Sequence, residues 1–189
     1  IGGASAGGGL AAALAQRLRD EGLQQPVFQL LVYPMLDDRT TLRTVDERHL
    51  RLWSPASNRW AWESYLGEDA AAIRSQVVPG RRQDLGGLPP AWIGVGTLDL
   101  FHGEDVDYAR RLEEAGVPYE LTVIPGAFHG FDAAFRKAGV TREFHAPMDL
   151  FDRHLYEEGA LVLHHLRGLL GEQDLRASVR RYVETHRAA

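Results

Sequence analysis

Five residues near the start of the chain, Gly3-Ala4-Ser5-Ala6-Gly7, restrict its fold more than any other feature: a G-x-S-x-G between a short extended stub and a helical pattern. A serine at such a junction must sit on a cramped turn, and glycines on both flanks, Gly3 and Gly7, remove Cβ atoms that would meet neighbouring backbone. The turn projects the Ser5 hydroxyl clear of the sheet. Leu10, Leu14 and Leu18 follow at a spacing of four, which marks one face of a helix that Gly22 can end. The start of that helix aims free N–H groups and the positive end of its dipole at Ser5, so the Ala6 N–H is a candidate donor to a developing oxyanion. The rival reading, a glycine-rich phosphate loop, lacks a lysine after the glycines and serves the G-x-G-x-x-G spacing poorly.

Downstream, the apolar run 27–33 between two prolines reads as a buried parallel strand, as does 91–96, and 117–124 reads as a third strand, with a helix over about 104–115 between the last two. The stretch 37–88 is looser, with a helical segment at 58–66, and Trp53, Trp60 and Trp62 are expected to pack that helical connection. Two further helices are expected over 148–170 and 174–186, where alternating arginines and acids read as a solvated face. Strands alternating with helices imply an α/β class with a mostly parallel sheet covered by helices on both faces.

The 189 residues, 44% hydrophobic and 25% charged, are enough for one domain with a proper core. A formal charge of −5 argues against nucleic acid and anionic membrane as partners and favours a small ligand. The lack of cysteine removes disulfides, thiolate nucleophiles and cysteine-based zinc sites without fixing the compartment. No apolar run reaches the roughly 20 residues of a membrane span, and a cytoplasmic setting is the expectation.

A serine is a weak nucleophile until a histidine takes its proton and an acid orients that histidine. Both are expected at the C-terminal ends of later strands. Asp99 follows the strand AWIGVG, and His129 follows the strand ending at Ile124, in the loop Pro125-Gly126-Ala127-Phe128-His129-Gly130. Taken alone, Asp99 reads equally as a turn or helix-cap residue and His129 as a surface residue. Together with the serine turn they form the order Ser, Asp, His known for one hydrolase fold. No H-E-x-x-H or comparable spacing suggests a metal.

The segments GGASAGGGLAAAL, YPMLD, LWSPASN, WAWESYLG, GLPPAWIGVGTLDLF and ELTVIPGAFHGFD, in that order, resemble the hormone-sensitive-lipase-like family of α/β-hydrolases, which includes bacterial carboxylesterases. The resemblance covers about residues 1–132, leaving 133–189 as a C-terminal helical region of one partial domain. It implies an α/β-hydrolase fold lacking its N-terminal strands, and an ester hydrolase acting through an acyl-enzyme. Ser5, Asp99 and His129 are then the triad, and no cofactor is implied. Ala4 departs from the aspartate common in the family's G-D-S-A-G-G, which tunes the site rather than abolishing it. Glu104 matches an acidic position shortly after the family aspartate and is implied to support the triad; a simple first-turn helix acid is the equal alternative. The family's H-G-G-G segment and N-terminal cap have no counterpart in these residues. The expectation is therefore a fragment, or a chain completed by a partner or by homo-oligomerisation, with little esterase activity of its own. A non-catalytic small-ligand receptor on the same fold and an inactive fragment remain as alternatives. His129 speaks against the receptor, because the gibberellin receptors that resemble this family lack the histidine base.

Overall fold

A computed structural model of the chain describes residues 1–67 and 70–134. The chain divides into two units between Glu143 and Phe144, and every described residue belongs to the first. The helices expected over 148–170 and 174–186 lie outside the described residues, as does everything beyond residue 134.

The order of elements is β1 (Gly2–Ala4), α1 (Ala6–Asp20), β2 (Gln29–Val32), α2 (Pro55–Leu66), α3 (Ala70–Val77), β3 (Ala91–Gly96), α4 (His102–Glu114), β4 (Tyr119–Ile124) and α5 (Phe131–Ala134). Short 3-10 turns occupy Asp38–Leu42, Glu47–His49 and Pro79–Arg81. The four described strands form one parallel sheet in sequential order, with Gly3 opposite Leu31, Leu31 opposite Ile93, and Ile93 opposite Leu121. Crossovers of one hand between neighbouring parallel strands deliver their helices to one side of the sheet. Accordingly Ala11, Ala12 and Ala15 of α1 and Tyr108, Ala109 and Leu112 of α4 share a core with Leu31, Ala91 and Ile93.

Two strands are shorter than the apolar runs suggest. Residue 27 is 92% exposed, and β2 begins only where Gln29 pairs with Ala91 of β3 and Leu30 with both neighbours. At its other end Tyr33 adopts a left-handed φ of 33°, which breaks the extended run. β4 starts at Tyr119 rather than at Val117, because Pro118 has no N–H to give to a ladder.

The leucine stripe of α1 faces away from the sheet. Leu10 is 54% and Leu14 44% exposed, while the buried face is Gly8, Gly9, Ala11, Ala12, Ala15 and Gln16. The reason is closeness: a Cβ on Gly9 would stand 2.1 Å from the Met35 carbonyl oxygen, and one on Gly8 2.8 Å from the Pro34 Cβ. Bulky residues cannot fit where the first turns of α1 cross the end of β2, so the leucines are displaced to the outer side.

This packing yields a contrast between adjacent glycines. Gly9→Ala forces a methyl group into backbone and is expected to destabilise by about 2 kcal/mol or more. Gly7→Ala, where a Cβ would meet nothing within 4 Å, should leave stability unchanged or raise it by up to about 1 kcal/mol through helix propensity. Urea midpoints of the two variants check this, and equal losses would contradict it.

Candidate active site

The turn between β1 and α1 is held at both of its backbone groups. The Ser5 N–H donates to Val32 O at 2.9 Å, continuing the β1–β2 ladder, and the Ser5 carbonyl accepts from Met35 N at 2.9 Å and Gly9 N at 3.1 Å. Between these anchors Ser5 takes φ 56° and ψ −124°, a conformation that L-residues avoid and that costs roughly 1–3 kcal/mol. Gly3 makes the turn feasible, because a Cβ there would lie 2.2 Å from the Gly7 carbonyl group. Gly7 itself has open space, so the steric demand expected of it belongs instead to Gly8 and Gly9. The only trace of that demand in the sequence is the run Gly7-Gly8-Gly9. Ala6 opens α1, so its N–H has no acceptor one turn earlier and points from the positive end of the helix.

Asp99 and His129 lie on two loops that are stitched together. The Leu98 N–H donates to Ala127 O at 2.9 Å, and the Gly126 N–H donates to the Thr97 hydroxyl at 2.9 Å. Gly96 permits this approach, since a Cβ there would be 2.1 Å from Ala127 O. Gly126 and Gly130 take φ near 70° and turn the chain on either side of His129. The result is a continuous relay. Ser5 Oγ is 2.9 Å from His129 Nε2, and His129 Nδ1 is 2.9 and 3.1 Å from the two Asp99 oxygens. The Asp99 side chain is fully buried, and its Oδ1 also accepts from Phe101 N at 2.9 Å. The structure thus brings all three sequence-identified residues together. An acid hydrogen-bonded at Nδ1 leaves Nε2 facing the serine, the arrangement a general base needs.

Glu104 does not touch the triad. Its Oε1 accepts from Leu36 N at 2.7 Å and Asp37 N at 3.1 Å, and the Thr40 hydroxyl donates to Oε2, so it fastens the segment after β2 to the start of α4. Burial pushes its carboxyl up to about 8 in spite of those three donors. Asp105, unremarked in the sequence, is fully buried with neither carboxyl oxygen hydrogen-bonded among the described residues. Its own burial first, then the neighbouring Glu104 and Asp99 charges, raise it well above the usual carboxylate range.

Aromatic residues wall the site. The rings of Tyr33, Phe101 and Trp53 stand 4.8, 5.0 and 6.1 Å from the His129 ring. Of the tryptophans expected to pack the helical connection, Trp62 is in the core with Met35 and Phe101, Trp53 borders that core beside His129, and Trp60 is exposed. Next to Ala6, an apolar pocket of about 110 Å³ is lined by Gly9, Leu10, Met35, Trp62 and Tyr65. Among the described residues, no group of three or more His, Asp or Glu is arranged to hold a metal ion, and no helix is long and apolar enough to cross a membrane.

Residues 1–133 match a family described as alpha/beta hydrolase fold. The esterase LipI of Mycobacterium tuberculosis is 35% identical over 141 residues, which are 69% of this chain and 42% of LipI. The carboxylesterase NlhH of the same organism is 34% identical over 139 residues, with the same shares of each chain. Among solved structures, the esterase LipW of Mycobacterium marinum superposes with a TM-score of 0.66 at 37% identity, covering 80% of this chain and 49% of LipW. The chain spans about 42% of the length of the curated relatives it matches.

The buried acids predict a pH dependence of stability. A carboxyl raised by folding is protonated in the native state and ionised in the unfolded chain across the window between its two values. Unfolding there releases a proton, and stability falls as pH rises. For Glu104, raised to about 8, that window runs from the ordinary glutamate range near pH 4.5 up to about pH 8. Glu104→Gln keeps an acceptor for Leu36 and Asp37 but cannot ionise. Its stability relative to the parent should therefore improve by a few kcal/mol between pH 5 and pH 8. Urea unfolding of both proteins across that range checks the claim, and a constant difference would contradict it.

Proposed function

The chain belongs to the alpha/beta hydrolase fold, in its hormone-sensitive-lipase-like family, and from that membership we propose that it serves as a carboxylic ester hydrolase acting through an acyl-enzyme. The observation that carries the proposal is the unbroken contact from Ser5 Oγ through the His129 ring to Asp99. His129 Nε2 takes the Ser5 proton as Oγ attacks the ester carbonyl, and the Ala6 N–H faces the oxygen on which negative charge develops. Asp99 holds the Nδ1 proton, fixes the tautomer and stabilises the imidazolium. Collapse of the tetrahedral intermediate breaks the ester C–O bond, with the Nε2 proton passing to the departing alcohol. Water then enters and gives a proton to the same nitrogen as its oxygen bonds to the acyl carbon; the bond from that carbon to Ser5 Oγ breaks, the Nε2 proton passes to Oγ, and the acid is freed.

The substrate proposed is a small ester with a short acyl group. The support is the size of the pocket beside Ala6, closed by Trp62 and Tyr65. A net charge of −5 favours a neutral ligand over nucleic acid or an anionic membrane. Exposed Val27 and Phe28 support self-association.

In the complete protein, a fluorophosphonate probe should label Ser5 covalently. Ser5→Ala and His129→Ala should each lower ester turnover by roughly three orders of magnitude or more, with the double variant hardly worse, since triad members act as a unit. Mass spectrometry placing the label on another serine, or additive losses, would count against the assignment. Acyl-chain preference offers an independent check. Short-chain nitrophenyl esters should be turned over faster than long-chain ones. Leu10→Trp, at an exposed rim position of the pocket, should reduce kcat/KM for butyrate more than for acetate. A uniform effect on both esters would remove the pocket from substrate binding.

A further inference from the structure

His129 reaches Ser5 from the far side of the sheet. It follows β4, whereas Ser5 follows β1, and three strand spacings of about 4.8 Å separate the two by roughly 14 Å. A loop turned by two glycines has to cross that span and still present Nε2 at hydrogen-bond distance. Tyr33 ends β2, partway across. Its backbone is in the left-handed region at φ 33°, a conformation disfavoured for a residue with a side chain, and its N–H is fixed to Gly94 O on β3. The buried ring lies 4.8 Å from the His129 ring at an interplanar angle of 64°, an edge contact. Beyond the ring, the hydroxyl donates to Asp132 Oδ1 at 2.7 Å, three residues after His129. Phe131, between them, also sets its ring against Tyr33, with centroids 6.5 Å apart. Tyr33 therefore touches the general base and grips the chain on its far side, while its own position is dictated by the central strands.

We propose that Tyr33 and Asp132 form a clamp that positions His129, with the phenol–carboxylate hydrogen bond fixing the loop and the ring fixing the tilt of the imidazole. Tyr33 is a positioning residue and exchanges no proton with substrate. The inference rests on the ester-hydrolase reading of the site, because the clamp is assigned to the base of that reaction. Its strained backbone fits this role: the conformation that ends β2 is the one that turns the ring under His129 instead of letting it lie along the strand.

The test uses Tyr33→Phe, which keeps the ring and loses the hydrogen bond, with Asp132→Ala, Asp132→Asn and the double variant Tyr33→Phe/Asp132→Ala. The loss of one such hydrogen bond corresponds to roughly a three- to tenfold effect. Tyr33→Phe and Asp132→Ala should each slow fluorophosphonate labelling of Ser5 by that factor and lower kcat equally, with KM unchanged. Asp132→Asn, whose amide oxygen still accepts from the phenol, should recover most of the rate, and the double variant should be no slower than either single one. In the same proteins with 15N-labelled histidine, the His129 Nδ1 proton resonance should shift or broaden in Tyr33→Phe and return in Asp132→Asn. Additive losses, a change confined to KM, or a His129 resonance indifferent to Tyr33→Phe would overturn the clamp. A parent protein that is not labelled at all would count against the hydrolase reading, and the histidine resonance would still decide the clamp.

Discussion

The backbone of Ser5 is the point on which this structure turns. Its N–H extends the β1–β2 ladder to Val32 and its carbonyl takes two donors, Met35 N from the chain leaving β2 and Gly9 N from the first turn of α1. One residue thus closes a strand, opens a helix and ties down the neighbouring strand's exit. These bonds stabilise a φ, ψ pair that is unfavourable by itself. They also dictate the composition of everything near them. α1 must pass so close to Pro34 and Met35 that only glycine fits at positions 8 and 9, and the helix must bury alanines rather than leucines. The reactive hydroxyl is left on a rigid turn with the helix N-terminus beneath it.

With Ser5 fixed at the end of β1, the rest of the candidate site is a problem of span. Asp99 and His129 come from β3 and β4, and neither loop is long. The fold shortens the gap by joining the two loops before they reach Ser5, through Leu98 to Ala127, Thr97 to Gly126 and the missing side chain of Gly96. The acid and the base therefore arrive as one unit. Tyr33 and Trp53 from the connection after β2, and Phe101 from the one after β3, surround the imidazole, leaving its two nitrogens to Asp99 and Ser5. An imidazole enclosed by aromatic rings has few alternative partners, and its two hydrogen bonds are correspondingly well defined.

What could be read from the sequence divides along the range of the forces involved. Ser5, Asp99 and His129 were legible because each sits in a local pattern, a strand followed by a glycine-bearing turn, that the chemistry itself requires. The β3 run and the helix after it were legible for the same reason. Leucine spacing on α1 identified a face without saying which face meets the sheet; that was settled by the Met35 carbonyl, which a Cβ on Gly9 would approach to 2.1 Å. Glu104 was noticed but its partners were not, since Leu36, Asp37 and Thr40 lie more than 60 residues away in the chain. The Tyr33–Asp132 contact, across 99 residues, leaves no trace in any local pattern. Val27 looked like strand because it is apolar and β-branched, and it falls outside because β3, which starts at Ala91 opposite Gln29, does not extend to meet it.

Three carboxyls crowd the start of α4, and their surroundings give them different work. Asp99 is met by the His129 ring and the Phe101 N–H, Glu104 by three donors from the segment after β2, and Asp105 by none among the described residues. The helix dipole favours negative charge at this end, but burial opposes it more strongly for Glu104 and Asp105, which are driven toward the protonated form. A rise in pH therefore removes stability at Glu104 and Asp105, because the unfolded chain gives up protons that the folded one keeps. Glu104 holds the Leu36–Thr40 segment whose first member follows Met35, the residue bonded to the Ser5 carbonyl. Two hydrogen bonds, Leu36 N–H to Glu104 and Met35 N–H to the Ser5 carbonyl, thus connect α4 to the turn that carries Ser5.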